Sequence, residues 1–118
     1  MAAMTNTIEG REQATRTWLL SRSAELQERV RRVESDLHRE REPVPADSSE
    51  AAVVVENDEV LERIRAAALN ELQIIRVVMR RLNSGTYSVC DKCGQQIEPA
   101  RLAAVPYATS CASCANEA

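Results

Sequence analysis

Four cysteines near the end of the chain place the strongest constraint on its fold. They form two Cys-x2-Cys knuckles separated by 17 residues, at Cys90, Cys93, Cys111 and Cys114. Two such knuckles can close around one ion as a tetrahedral thiolate site, which is the pattern of structural zinc sites. Gly94, directly after Cys93, offers the left-handed backbone geometry that tight turns of this kind often need. We therefore predict one structural Zn²⁺ bound by the four cysteines.

Two other uses of these cysteines stay open at the level of sequence. The knuckles could form paired disulfides, or one could be a redox-active Cys-x-x-Cys centre. The N-terminus lacks the apolar region of a signal peptide, and the sequence pattern has no βαβ unit for a thioredoxin-like site, so zinc is favoured. Four thiolates would leave no coordination position for water, and the ion would stabilise the fold without doing chemistry.

Composition restricts the class of protein. The chain has 118 residues with 3% aromatic side chains and no phenylalanine, which argues against a large globular core. Its net charge of −3 disfavours a nucleic-acid binder that depends on neutralising phosphates. The longest apolar run, Ala51 to Val55, is far too short to cross a membrane. We expect a cytoplasmic protein with no membrane association.

Two long stretches have the periodicity of coiled-coil helices, with apolar residues at alternating spacings of four and three. The first series is Leu19, Leu26, Val30, Val33 and Leu37, interrupted by Ser23; the second is Leu61, Ala68, Leu72, Ile75, Met79 and Leu82, interrupted by Arg65. Prolines 43 and 45 prevent one continuous helix, because proline lacks an amide hydrogen and restricts the preceding residue. We predict an all-α fold in which the two helices form an antiparallel coiled-coil hairpin.

The hairpin and the cysteine knuckles suggest a division of the chain. Asn83, Ser84 and Gly85 are expected to end the second helix. The predicted parts are a flexible N-terminus at 1–8, a hairpin at 9–84 with its tip at about 43–58, and a C4-type zinc finger at 85–118. The tip region is acidic, since residues 43–60 contain five carboxylates and no basic residue.

No catalytic constellation is visible, and we expect no enzyme activity. The only histidine, His38, falls among Arg and Glu in the first helix, where a solvated side chain is expected. Trp18 is predicted to pack where the helices meet the zinc finger. Tyr107 is predicted to cover the metal site in the same small core.

Residues 85–114 resemble the C4-type zinc finger of the bacterial DksA/TraR family. The resemblance includes Ile97, the Ala100-Arg101-Leu102 step and the Pro106-Tyr107-Ala108 segment. Family members of this layout carry an antiparallel coiled coil before the finger, with an Asp-x-x-Asp-x-Ala motif at its tip. Asp47 lies 43 residues before Cys90, as in the family, so the resemblance covers about residues 15–114.

The resemblance implies a non-enzymatic transcription regulator that inserts its coiled-coil tip into the secondary channel of RNA polymerase and modulates initiation. Such a protein would act in the bacterial cytoplasm, without sequence-specific DNA binding, and is expected to be a monomer. Asp47, Glu50 and Ala52 take the three tip-motif positions, with Glu in place of the second Asp. The same Asp47 and Glu50 also fit a capping box at the start of the second helix. Two interpretations stay open: Asp47 and Glu50 only cap the helix, or they cap the helix and also act on the polymerase.

Two departures from the family limit what the resemblance implies. The chain stops four residues after Cys114, so we expect no C-terminal helix after the finger. Residues 66–75 contain no basic side chain, where longer members supply cations toward ppGpp, and we therefore do not expect cooperation with ppGpp. Two alternative functions are an interaction module whose coiled coil docks a helical partner, and a thiol redox switch in which oxidation ejects the zinc.

Overall fold

The computed structural model describes residues 9–39 and 48–116, with side chains described from Gly10 to His38 and from Glu56 to Asn116. Within these ranges the chain forms four helices: α1 (Glu9–Arg39), α2 (Ser48–Ser84), α3 (Pro99–Ala104) and α4 (Ala112–Asn116). The described part of the chain contains no strand, and only one isolated antiparallel bridge, between Val89 and Gln96. The all-α prediction is confirmed.

The long helices follow from local sequence. α2 runs for 37 residues without an internal glycine or proline. It ends at Ser84, directly before Gly85. Gly85 has a φ of +77°; its amide donates to the Leu82 carbonyl, and the Thr86 amide donates to the Arg81 carbonyl at 2.9 Å. This pair of hydrogen bonds is a Schellman motif, which satisfies the last carbonyls of the helix. The predicted helix end at Asn83, Ser84 and Gly85 is therefore confirmed.

The chain divides into two compact units. One comprises Arg22–Gln73, and the other combines the chain before Arg22 with the chain from Ile74 onward. Each long helix thus contributes to both units. The domain boundaries drawn from the sequence stay a prediction.

The unit Arg22–Gln73 is the paired part of α1 and α2. Among the side chains described for this unit, the buried apolar ones all belong to the predicted seams: Leu26, Val33, Ala68 and Leu72. Arg22 pairs with Glu71 and Glu34 pairs with Arg65, so partners on α2 come earlier as α1 advances. The two helices are therefore antiparallel, and the predicted coiled-coil hairpin is confirmed.

The second unit contains the first turns of α1, the end of α2 and the zinc finger. Its described buried side chains come from all three segments and are, besides three of the cysteines, Leu19, Ile75, Val78, Leu82, Tyr87, Ile97 and Ala108. Val78 is 1% exposed although it lies beside the predicted seam, whereas the seam residue Met79 is only half-buried. The buried face of α2 is wider here than a two-helix seam, because a third segment belongs to the same unit.

None of the described helices combines the length and the apolar character needed to cross a membrane.

Candidate metal centre

The first knuckle is a tight hairpin. The Ile97 amide donates to the Ser88 carbonyl and the Cys90 amide donates to the Gln95 carbonyl, both at 2.7 Å. Gly94 closes the turn with a φ of +75° and donates its amide to the Cys90 carbonyl at 3.0 Å. The left-handed glycine expected after Cys93 is confirmed, and it lets Cys90 and Cys93 point to the same side of the turn.

The second knuckle lies at the start of α4. Cys111 immediately precedes this helix and Cys114 lies within it, with the Ala115 amide donating to the Cys111 carbonyl at 2.9 Å. A backbone hydrogen bond joins the two knuckles, since the Asp91 amide donates to the Thr109 carbonyl at 2.9 Å. The polypeptide thus brings both Cys-x2-Cys pairs together through its own backbone.

The four sulfur atoms of Cys90, Cys93, Cys111 and Cys114 all lie within 4.8 Å of one another, and no disulfide joins them. The Sγ atoms of Cys93 and Cys111 are 3.9 Å apart. A tetrahedron of Zn–S bonds of about 2.3 Å requires sulfur separations of about 3.8 Å. The cysteines are therefore positioned to bind one metal ion, and the donor set suits zinc.

Backbone amides face the first of these sulfurs. The Lys92 and Cys93 amides approach Cys90 Sγ at 3.4 and 3.5 Å. Hydrogen bonds from the backbone of Cys93, and then of Cys111, lower the pKa of Cys90 to about 6. The clustered sulfurs of Cys111, Cys90 and Cys93 instead raise the pKa of Cys114 well above its usual range. Four thiolates need a cation to coexist in so small a volume, and a divalent ion supplies it.

The core around the sulfurs is small. Cys90, Cys111 and Cys114 are buried with Ile97, and Leu102 packs against this cluster, while Cys93 is exposed. So few apolar side chains bury little surface, and a structural ion is the usual way to stabilise a module of this size.

Trp18 contacts Tyr107, but the prediction that Tyr107 covers the metal site is not supported, because the partly buried residue that packs against the cysteine cluster is Leu102. The ring centroids of Trp18 and Tyr107 are 5.6 Å apart at an angle of 44°, so the start of α1 contacts the loop between the knuckles. Trp18 keeps 44% of its surface exposed, and neither ring belongs to the buried cysteine cluster. Tyr87 takes a more buried position and donates its hydroxyl to the Pro106 carbonyl at 2.9 Å. His38 is exposed, as expected for a solvated helix residue.

The structure does not describe the side chains of the predicted tip residues. Asp47 lies outside the described residues, and α2 begins at Ser48, the next residue in the sequence. Glu50 and Ala52 belong to α2, but their side chains are outside the described set. The tip motif therefore stays a prediction.

Two arginines contact the backbone of the knuckles, and the cysteine spacing alone does not reveal them. Arg81 in α2 donates a hydrogen bond to the Val89 carbonyl, and Arg101 in α3 donates to the Ser110 carbonyl at 2.9 Å. For Arg101 the sequence offers one indication, its place in the Ala100-Arg101-Leu102 step. Nothing local distinguishes Arg81 from the exposed Arg80 beside it.

Known proteins match the chain along nearly its whole length. The family described as "DnaK suppressor protein-like, N-terminal domain" matches residues 16–82, and the "Prokaryotic dksA/traR C4-type zinc finger" matches residues 85–118. An uncharacterized protein of Aquifex aeolicus (strain VF5) is 30% identical over 101 residues, covering 84% of this chain and 70% of its own length.

Solved structures give the same result. Transcription factor DksA2 from Pseudomonas aeruginosa superimposes with a TM-score of 0.80 at 25% identity, covering 97% of this chain and 87% of that one. The DnaK suppressor protein from Agrobacterium tumefaciens C58 has a TM-score of 0.57 at 36% identity, covering 90% and 92%. With the hairpin and the C4 cysteine cluster in place, the chain belongs to the DksA/TraR family of zinc-finger proteins, which are regulatory factors that act with RNA polymerase.

Proposed function

We propose that this protein binds RNA polymerase and inserts its coiled-coil tip, at about residues 43–58, into the secondary channel, where it modulates transcription initiation. One observation carries the proposal. The family match at 16–82 coincides with the antiparallel helices, and the motif of Asp47, Glu50 and Ala52 lies in the sequence at the start of α2.

The paired helices are suited to act as a probe. Arg22–Arg39 alone rises about 27 Å at 1.5 Å per residue, and a pair of helices is only about twice the diameter of one. The seam residues Leu26, Val33, Ala68 and Leu72 are buried between the helices, so the pair is held together by its own packing. An arm of this kind can carry a few side chains into a narrow channel.

The chemistry proposed for the tip is electrostatic. Carboxylates at positions 47 and 50 would perturb hydrogen bonds and ion pairs of mobile polymerase elements, or approach the catalytic Mg²⁺. Either effect shifts the relative stability of initiation complexes without any bond being made or broken by this protein. Glu50 in place of the second Asp retains the charge on a side chain longer by one methylene.

The test is in vitro transcription with the cognate polymerase. Asp47→Asn combined with Glu50→Gln removes both charges and keeps both positions competent for a capping box, so helicity is expected to persist. This double variant should still bind polymerase and lose most of its effect on transcript yield. A matched control is Glu59→Gln with Glu62→Gln, which removes two exposed charges from the same helix outside the motif and should retain full activity.

The outcomes separate the alternatives. Full regulatory activity in the Asp47/Glu50 variant would mean that the two carboxylates have no regulatory role and that the motif only caps the helix. Failure of the unsubstituted protein to bind polymerase would remove the proposal and favour an interaction module with another helical partner. We also propose action without ppGpp, because residues 66–75 lack basic side chains; a regulatory effect that appears only with added ppGpp would contradict this part.

A further inference from the structure

Each knuckle of the metal centre has an arginine bound to the carbonyl that immediately precedes its first cysteine. Val89, which accepts from Arg81, comes directly before Cys90. Ser110, which accepts from Arg101, comes directly before Cys111. The arginines come from different helices, Arg81 from the last turn of α2 and Arg101 from α3. The same arrangement is therefore built twice from unrelated parts of the chain.

The amide ends of these two peptide units lie inside the metal centre. The Val89–Cys90 unit donates its N–H to the Gln95 carbonyl across the first turn. The backbone of Cys111, in the Ser110–Cys111 unit, is among the groups that lower the pKa of Cys90 on the other knuckle. Because a peptide unit is planar, a guanidinium that holds the C=O also sets the direction of the N–H at the other end. A charged donor on the carbonyl further polarises that N–H toward its acceptor.

The charges of the arginines also favour a role at the metal centre. A divalent ion bound by four thiolates keeps a net negative charge, and both guanidiniums are positive and half-buried in the same compact unit. Hydrogen-bonding partners beyond the ligands orient metal ligands and tune affinity.

One nitrogen of the Arg81 side chain is in an energetically unfavourable environment. Its Nε is buried and has no hydrogen-bond partner among the described residues. An unpaired buried donor destabilises a fold, so its other contacts must offset that cost. Those contacts lead to the finger, since the Arg81 side chain holds the Val89 carbonyl and its own carbonyl accepts from Thr86.

We propose that Arg81 and Arg101 are positioning residues of the metal centre. They orient the peptide units that open the two knuckles and compensate the charge of the thiolate cluster, so they determine how tightly the cysteines retain zinc. Through Arg81, retention of the ion is tied to the last turn of α2.

The test measures zinc affinity of the full chain by competition with a chromophoric chelator. Arg101→Met and Arg81→Met keep the aliphatic part of the side chain and lose the charge and the hydrogen bonds. Each should weaken zinc binding by about ten- to a hundredfold. Arg80→Met is the matched control, because Arg80 is the exposed neighbour in the same helix turn; its zinc affinity should be unchanged.

A spectroscopic measurement separates positioning from general packing. With Co²⁺ in place of zinc, the thiolate charge-transfer and ligand-field bands report sulfur geometry directly. These bands should shift in the Arg101→Met and Arg81→Met proteins and stay unchanged in the Arg80→Met protein. Arg101→Lys, which keeps a charged donor, should restore part of the zinc affinity, whereas Arg101→Gln should not.

Zinc affinity and Co²⁺ spectra identical to the unsubstituted protein in both methionine variants would overturn the proposal. If a methionine variant fails to fold, the comparison of Arg101→Lys with Arg101→Gln decides. Equal zinc affinity in those two variants would then mean that charge and hydrogen bonding play no part, which also overturns it.

Discussion

Arg22 of α1 and Glu71 of α2 form a two-point ion pair, with Nε to Oε2 at 2.7 Å and Nη2 to Oε1 at 3.1 Å. Both side chains are about one-quarter exposed, and Glu71 is the main reason that the pKa of Arg22 is raised. The planar fork of the guanidinium matches the carboxylate in only one relative position of the helices. The pair therefore helps to specify the register of the coiled coil.

Loss of this pair should cost more than loss of an exposed pair within one helix. We expect Glu71→Gln to lower the free energy of unfolding of the hairpin by about 1 kcal/mol. Glu28→Gln, which removes the exposed contacts to Arg31 and Arg32 on the same helix, should have a smaller effect. Urea denaturation followed by circular dichroism measures both. Equal effects of the two substitutions would contradict the register role.

Glu28 should titrate at unusually low pH. Its hydrogen bond to Arg31 lowers the pKa of Glu28 from 4.5 to about 2, with Arg32 adding to the effect. Because the folded-state pKa is the lower one, the stabilising contribution is present above about pH 4.5 and is lost as the pH falls toward 2. The carboxyl-carbon chemical shift of Glu28 measures this midpoint. Arg31→Gln with Arg32→Gln should move it upward, and a midpoint near 4.5 in the unsubstituted protein would refute the pairing.

Removal of zinc should unfold the finger and leave most of the coiled coil. Structural zinc contributes about 10–16 kcal/mol in zinc-finger peptides, and the finger has little core of its own. Cys111→Ser should therefore lose the metal, while amide resonances of Arg22–Gln73 keep their dispersion, because that unit contains no cysteine. Metal content per chain, together with the NMR spectrum, measures both effects. A fully folded, metal-free protein after purification without added zinc would contradict the structural role of the ion.

Val78 and Met79 allow a test of whether burial in the structure or the heptad pattern predicts the effect of a substitution on stability. The heptad pattern places Met79 on the seam, but Val78 is the buried residue, at 1% exposure. We expect Val78→Ala to lower the free energy of unfolding by about 2 kcal/mol through lost apolar burial and a residual cavity. Met79→Ala should cost less, although it removes the larger side chain. Thermal unfolding of the zinc-loaded protein compares the two variants. A larger loss of stability in the Met79→Ala protein would contradict the buried position of Val78 and agree with the heptad pattern.

Much of the fold could be read from features that operate over a few residues. Turn chemistry is local, so Gly85 and Gly94 identify a helix end and a knuckle turn from sequence alone. Helical periodicity is also local, and Leu26 and Leu72 occupy the seam that their spacing predicts. The spacing of the cysteines was sufficient for the metal centre, because each knuckle brings its two sulfurs together within one turn.

Contacts between segments distant in sequence had to come from the tertiary structure. Whether Val78 or Met79 is buried depends on which segments share a compact unit with the end of α2, and no local pattern encodes that. Arg81 and Arg101 reach knuckle carbonyls only because the chain folds those carbonyls into their range; in sequence they are two of many arginines. Periodicity and turn geometry are properties of the neighbouring backbone, whereas burial and long-range hydrogen bonds exist only once separate segments have packed together.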